Sequence, residues 1–146
     1  MQTHAAPRKG GDIALETAVE LNRLGLPTRL HLVGCGPPGA IPGFVVRHGF
    51  ISKNTPEGRS RLDALLSESH FLIVPSRAEC YPLVFADVSS YGLPSLAAEG
   101  GIQQLMKLMV SPAKYRELAL GAFAEYESCL NWRVARAAAV ALLKQL

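Results

Sequence analysis

The stretch Phe71-Leu72-Ile73-Val74-Pro75-Ser76-Arg77-Ala78-Glu79-Cys80-Tyr81-Pro82-Leu83-Val84-Phe85-Ala86-Asp87 decides how this chain is read. Its first four residues are an unbroken apolar run with no polar alternation. That is the pattern of a strand covered on both faces, as in a parallel sheet. Pro75 to Pro82 interrupt the run, and Leu83 to Tyr91 then read as a helix that Gly92 stops. A buried strand, a loop and a helix in that order form one half of a βαβ unit.

The same alternation extends outward in both directions. Asp12 is expected to cap a helix with Ile13, Ala14, Ala18, Leu21 and Leu24 on its apolar side, and Gly25 ends it. Arg29–Val33, Phe44–Arg47 and Pro94–Ala97 read as further strands, and Ser60–Ser69 as a helix with Leu62, Leu65 and Leu66 inward. Two helices close the chain. One runs from about Gln103 to Ser128 with Pro112 interrupting it, and the other follows Asn131, a good N-cap, to Leu146. The expected fold is therefore α/β: a Rossmann-like three-layer domain with a mainly parallel sheet, occupying residues 1–146. Leu30, Leu32, Leu72, Ile73 and Val74 are its expected core. In such sheets ligands sit at the carboxyl ends of the strands, which directs attention to the loops 34–36, 48–51, 75–82 and 98–101.

Composition narrows the function classes. The chain has 146 residues, 49% hydrophobic and 18% charged, with a net charge of +3. That length suits one domain with its own core. No apolar run is long enough to span a bilayer, and Met1-Gln2-Thr3-His4 lacks the basic and apolar regions of a secretory signal, so a cytoplasmic location is expected. Cys35, Cys80 and Cys129 have no metal-ligand spacing and are expected to be reduced thiols; no metal site is read. The basic residues are dispersed and carry no nucleic-acid motif, so nucleic acid is not an expected partner. Arg59 and Arg61 form the densest basic spot in mid-chain and read as a solvated helix face. A mildly basic chain suits a small anionic ligand.

Two places carry groups that could bind one. In the loop 75–82 and the helix it opens, Glu79 can accept hydrogen bonds from sugar hydroxyls, and Asp87 can reach a ribose lying along the helix. The plainer alternative is that Glu79 caps the helix and Asp87 is solvated. Arg8-Lys9-Gly10-Gly11 places cations beside glycines just before a helix, an arrangement that lets backbone and charge approach a phosphate. It lacks the spacing and the Ser/Thr of a Walker loop. Gly34-Cys35-Gly36 is an incomplete dinucleotide fingerprint.

Taken in order, Arg8-Lys9-Gly10-Gly11, His31-Leu-Val-Gly-Cys-Gly-Pro37, His48-Gly49-Phe50, Phe71-Leu-Ile-Val-Pro-Ser-Arg-Ala-Glu79, Tyr91-Gly92-Leu-Pro94 and Gly100-Gly101-Ile102 form a specific series. That series resembles the C-terminal, donor-binding domain of the GT-B, family 4 retaining glycosyltransferases. The resemblance runs from about Pro7 to Gly101 and resumes near Leu105. Glu79 and Asp87, with seven residues between them, fall on that family's acidic signature. The resemblance implies a nucleotide-sugar donor, UDP- or GDP-linked, bound as substrate with no further cofactor. It places Glu79, the catalytic candidate, on the donor sugar and Asp87 on the ribose. Lys9 and Arg8 would neutralise the diphosphate, with Gly10 beside them. Phe50 and Ile51 would border the base, and Tyr81, with the amides near Leu83 and Val84, would line the donor site.

The chain departs from the family in four ways. The acceptor half of the cleft is not within these residues. The strand that should precede Arg8 is reduced to Met1–Ala6. Pro82 and Asp87 stand where the family has Gly and Glu, so one phosphate-facing N–H is gone and one acid is shorter. Gly101-Ile102 passes directly to Gln103-Gln104-Leu105, where family members insert a helix and a strand. Three functional expectations follow: a transferase domain that works with another polypeptide, a non-catalytic nucleotide-sugar binding module, or an inactive fragment. In the resembled family the terminal segment packs on the other domain. Trp132, Val134, Leu142 and Leu143 are therefore expected to be left uncovered, favouring self-association, a partner chain such as a second glycosyltransferase domain, or poor solubility.

Overall fold

The computed structural model describes residues 10–34, 39–75, 84–97, 105 and 107–144. Its first element, α1 (Gly11–Arg23), buries Ala14, Thr17, Ala18 and Leu21, which recur at helical spacing along one side. Its start differs from the expectation. Gly10, in the left-handed region at φ 67°, is the N-cap, and Asp12 lies within the first turn. The other end agrees with it. Gly25 takes φ 79°, its N–H donates to Asn22 O, and Leu26 N–H reaches back to Leu21 O, which closes the helix with a Schellman turn. The Asn22 amide then ties the turn to the chain ahead through Thr28 O and Thr28 N.

β1 (Leu30–Val33) pairs in parallel with β2 (Val45–Gly49), Leu30 opposite Val45 and Leu32 opposite Arg47, with one irregularity before Val33. α2 (Pro56–Glu68) starts earlier than Ser60. Thr55 Oγ1 accepts from Gly58 N–H and Pro56 takes the first helical position, a combination favourable to helix initiation. Gly58 has no room for a side chain, because an added Cβ would meet Ser52 O at 1.9 Å.

β3 (Leu72–Val74) and β4 (Ser95–Ala97) form the second parallel pair, with α3 (Val84–Ser89) between them in sequence. Val88 and Ser89 of α3 are buried, as are Leu93 and Pro94 ahead of β4. Residues 107–109 are helical and contribute buried Leu108, with Leu105 buried just before them. α4 (Pro112–Glu125) begins on its proline, runs into a π-helical turn at Tyr126–Leu130, and gives way to α5 (Trp132–Leu143). The expected cap is present: Asn131 Oδ1 accepts from Val134 N–H at 3.0 Å, while its amide donates to Tyr126 O and Glu127 O. Tyr115 of α4 meets the ring of Phe71 edge-on at 5.4 Å, so α4 lies beside the entry to β3.

All four strands lie within a residue or two of the sequence reading, and both pairs are parallel. The chain is a mixed α/β structure. Among the described residues the two pairs are not hydrogen-bonded to each other. The expected burial of Leu30, Leu32, Leu72, Ile73 and Val74 is corrected: each is half-buried. A strand becomes fully buried only with neighbours at both edges and cover on both faces, and here each strand has one described neighbour. The buried apolar residues are instead Ala14, Ala18 and Leu21 of α1, Val45 at the start of β2, Val88 of α3, Leu93 ahead of β4, and Leu105 and Leu108.

Candidate functional site

The best-defined junction joins α1 to the end of β3. Gly10 is buried, and an added Cβ there would meet Pro75 O at 1.9 Å and Pro75 Cγ at 2.8 Å. Only glycine fits, because the backbone is left-handed and the carbonyl of Pro75 fills the space. The start of α1 is thus pressed against the first residue after β3, at that strand's carboxyl end. Gly10 and Pro75, described ends of two stretches singled out from the sequence, meet here.

A second junction joins the loop after β2 to α3. Lys53 Nζ and Asp87 Oδ2 form an ion pair across 34 residues, with both side chains about half exposed. Arg59 of α2 donates to Lys53 O at 3.0 Å and steadies the loop. Beyond α3, the Tyr91 hydroxyl donates to Asp63 Oδ1 of α2; that bond to a carboxylate, with some burial, pushes the phenol up to about 12. These contacts hold α2 and the 50–55 loop alongside α3. Phe50, in the same loop, is 84% exposed, an aromatic ring presented to solvent at the carboxyl end of β2. Ile51 beside it is half-buried.

A polar cluster lies across β1 and β2. The rings of His31 and His48 stack at 5.1 Å, with Nδ1 of His31 2.8 Å from Nε2 of His48. Arg61 Nη2 lies 3.3 Å from His48 Nδ1. Desolvation, with His31 and the Arg61 guanidinium nearby, holds His48 below the usual imidazole range. Arg59 and Arg61 do lie on an exposed helix face, as read from sequence, but each is engaged by a specific acceptor.

Of the sequence candidates, Gly10, Phe50, Ile51, Val84 and Asp87 are described. Arg8, Lys9, Glu79, Tyr81, Leu83 and Pro82 lie outside the described residues, as do Cys35 and Cys80. Asp87 stands in the first turn of α3, exposed, and Val84 opens that helix half-buried. Lys53 was missed by sequence reasoning. The signal available was its place just after Phe50 and Ile51, in a loop at the carboxyl end of a strand. Cys129 is a free, exposed thiol. No group of three metal-ligating side chains occurs among the described residues, and no helix there is long and apolar enough to cross a membrane.

Comparison with protein-family models gave no match, and comparison with curated proteins gave none either.

Proposed function

We propose that the chain is a nucleotide-sugar binding domain of the Rossmann-like, three-layer kind that forms the donor half of a retaining GT-B glycosyltransferase. One observation carries this reading: Gly10 is seated against Pro75. A diphosphate site built from the 8–11 and 75–82 segments requires those segments to meet at the carboxyl end of a strand, and their described ends do so. Phe50 adds support, since an exposed ring in a strand-end loop offers a face on which a base can stack. The Lys53–Asp87 pair adds more, by linking the proposed base-lining loop to the proposed ribose acid.

In this reading Lys9 and Arg8 carry the charge opposite the diphosphate. α3 runs for six described residues, and its dipole is a small part of the attraction. Glu79 takes the donor sugar, Asp87 the ribose, and Tyr81, Leu83 and Val84 line the path between them. When the glycosidic bond breaks, negative charge collects on the departing nucleoside diphosphate, and prepositioned cations stabilise it. Transfer to an acceptor requires a second glycosyltransferase domain, supplied by another polypeptide or by the remainder of a longer chain. Asp87 is already paired with Lys53, so binding a ribose in either a catalytic or a non-catalytic domain means sharing that carboxylate.

Titration calorimetry with UDP, GDP and their sugar conjugates tests the proposal. Glu79→Gln is expected to weaken the intact nucleotide sugar and spare the free nucleotide, whereas Asp87→Ala weakens both. Equal effects of Glu79→Gln on the two ligands would assign Glu79 to support of its loop. No heat with any of the ligands up to about 10 mM, well above the millimolar affinity worth about 4 kcal/mol, would reject the reading.

A further inference from the structure

α5 is an amphipathic helix whose apolar and cationic residues share one open surface. Trp132, Ala135, Ala139 and Leu142 succeed one another at steps of three, four and three, and so fall on one side with Leu143 beside them, while Arg133, Arg136, Val140 and Lys144 lie on the adjacent side. Trp132, Arg133, Arg136, Val140 and Lys144 line one continuous shallow groove. Every residue from 132 to 144 is exposed except Val134, which is half-buried toward the rest of the chain. Trp132 is 83% exposed, and Leu142 and Leu143 about two-thirds. Within 132–144 there are three basic residues and no acidic one. Arg133 lies 3.7 Å from Glu127. Arg136 and Lys144 have no ion pair among the described residues.

We propose that α5 is an interfacial helix that lies on the surface of a bilayer carrying anionic headgroups. Charge complementarity identifies the partner as anionic: the cations flank the apolar stripe on one side, where they meet headgroups as the stripe enters the acyl boundary. Relief identifies it as fluid. Between Trp132 at one end and Leu142 and Leu143 at the other, the apolar side is filled by Ala135, Ala138 and Ala139. Such a surface offers no central anchor for a shaped protein pocket. Its twelve residues span about 18 Å, well short of the roughly 30 Å hydrocarbon core, so the helix lies along the bilayer. Trp132, with an apolar body and a polar N–H, suits the boundary itself. This inference is independent of the proposed donor site.

Trp132 is the single tryptophan of the chain, so its emission reports on this surface alone. The full chain would be mixed with vesicles of phosphatidylcholine, and with vesicles of phosphatidylcholine and phosphatidylserine at three to one. Sedimentation with the vesicles and a blue shift of emission are expected with the anionic vesicles only, and both are lost at about 0.5 M salt, where screening is within a few Å. Arg136→Gln with Lys144→Gln is expected to weaken partitioning about 25-fold, about fivefold per cation, with the far-UV spectrum unchanged. Leu142→Gln with Leu143→Gln is expected to keep low-salt sedimentation but abolish the blue shift. The inference is overturned by failure to bind anionic vesicles, or by equal binding to both kinds. It is also overturned by a blue shift that needs no vesicles and grows with protein concentration, which would assign the surface to a second copy or another protein.

Discussion

α1 and α5 are built alike and end differently. They run for 13 and 12 residues, and each gathers its apolar residues to one side. α1 buries four side chains, and the left-handed glycine at its start is seated against Pro75. α5 buries none. Amphipathicity therefore states that a helix has a face to cover, and the rest of the chain decides whether it is covered. Under the two proposals, the difference also divides the molecule by role. A helix fixed along its length can hold its first turn still against a strand end, which the proposed phosphate site requires. A helix exposed along its length is free to meet a surface.

Substitutions on the two faces should differ widely in cost. Leu21 of α1 is 2% exposed, and Leu21→Ala is expected to cost about 2–5 kcal/mol through lost transfer and a residual cavity. Gly10→Ala comes next, at about 2 kcal/mol or more, because it combines a left-handed backbone with a collision at Pro75 O. Both would be read from denaturant midpoints at unchanged slope. Asn131→Ala removes a buried cap with three hydrogen bonds and is expected to cost about 1–2 kcal/mol. Leu142→Ala and Leu143→Ala are expected to stay within about 0.5 kcal/mol of the parent, as for surface positions. A loss near that of Leu21→Ala at either residue would mean that α5 is covered in solution.

The pH dependence gives a smaller effect. His48 is held below its unfolded value, so between its folded pKa and about 6.5 the unfolded chain binds more protons. Stability is then full above about 6.5 and falls as pH drops through that window, because His48⁺ would face His31 and Arg61 across the pair. His48→Gln is expected to remove that slope, as measured by midpoints between pH 5 and 8.

The sequence made the strands legible because Leu72–Val74 and Leu30–Val33 sit in apolar, β-rich runs bounded by Gly and Pro. Gly25 and Asn131 were legible because helix ends have local chemistry. The start of α2 was available in Thr55-Pro56 but was read one turn late, since Ser60 opens the apolar spacing. Strand burial was not legible: it depends on edges and cover, which Leu72-Ile73-Val74 alone does not specify. Nor were the partners of Asp87 and His48. Lys53 is 34 residues from Asp87 and His31 is 17 from His48, and only the register of β1 on β2 and the path of α2 bring them together. Asp12 was misread as a cap because a close approach to Pro75 selects Gly10 there.

The central claim is that the start of α1 and the loop after β3 together hold a nucleoside diphosphate. It is tested most directly by titrating UDP and GDP, in parallel, into the parent chain and into Lys9→Ala. The account predicts saturable binding of at least one nucleotide to the parent, with an affinity no tighter than about millimolar because Pro82 supplies no N–H. It predicts binding weakened at least about tenfold in the variant, the lower end of the 1.5–3 kcal/mol typical of a hydrogen bond to a charged group. Equal affinities for parent and variant, both folded by far-UV spectroscopy, would contradict it.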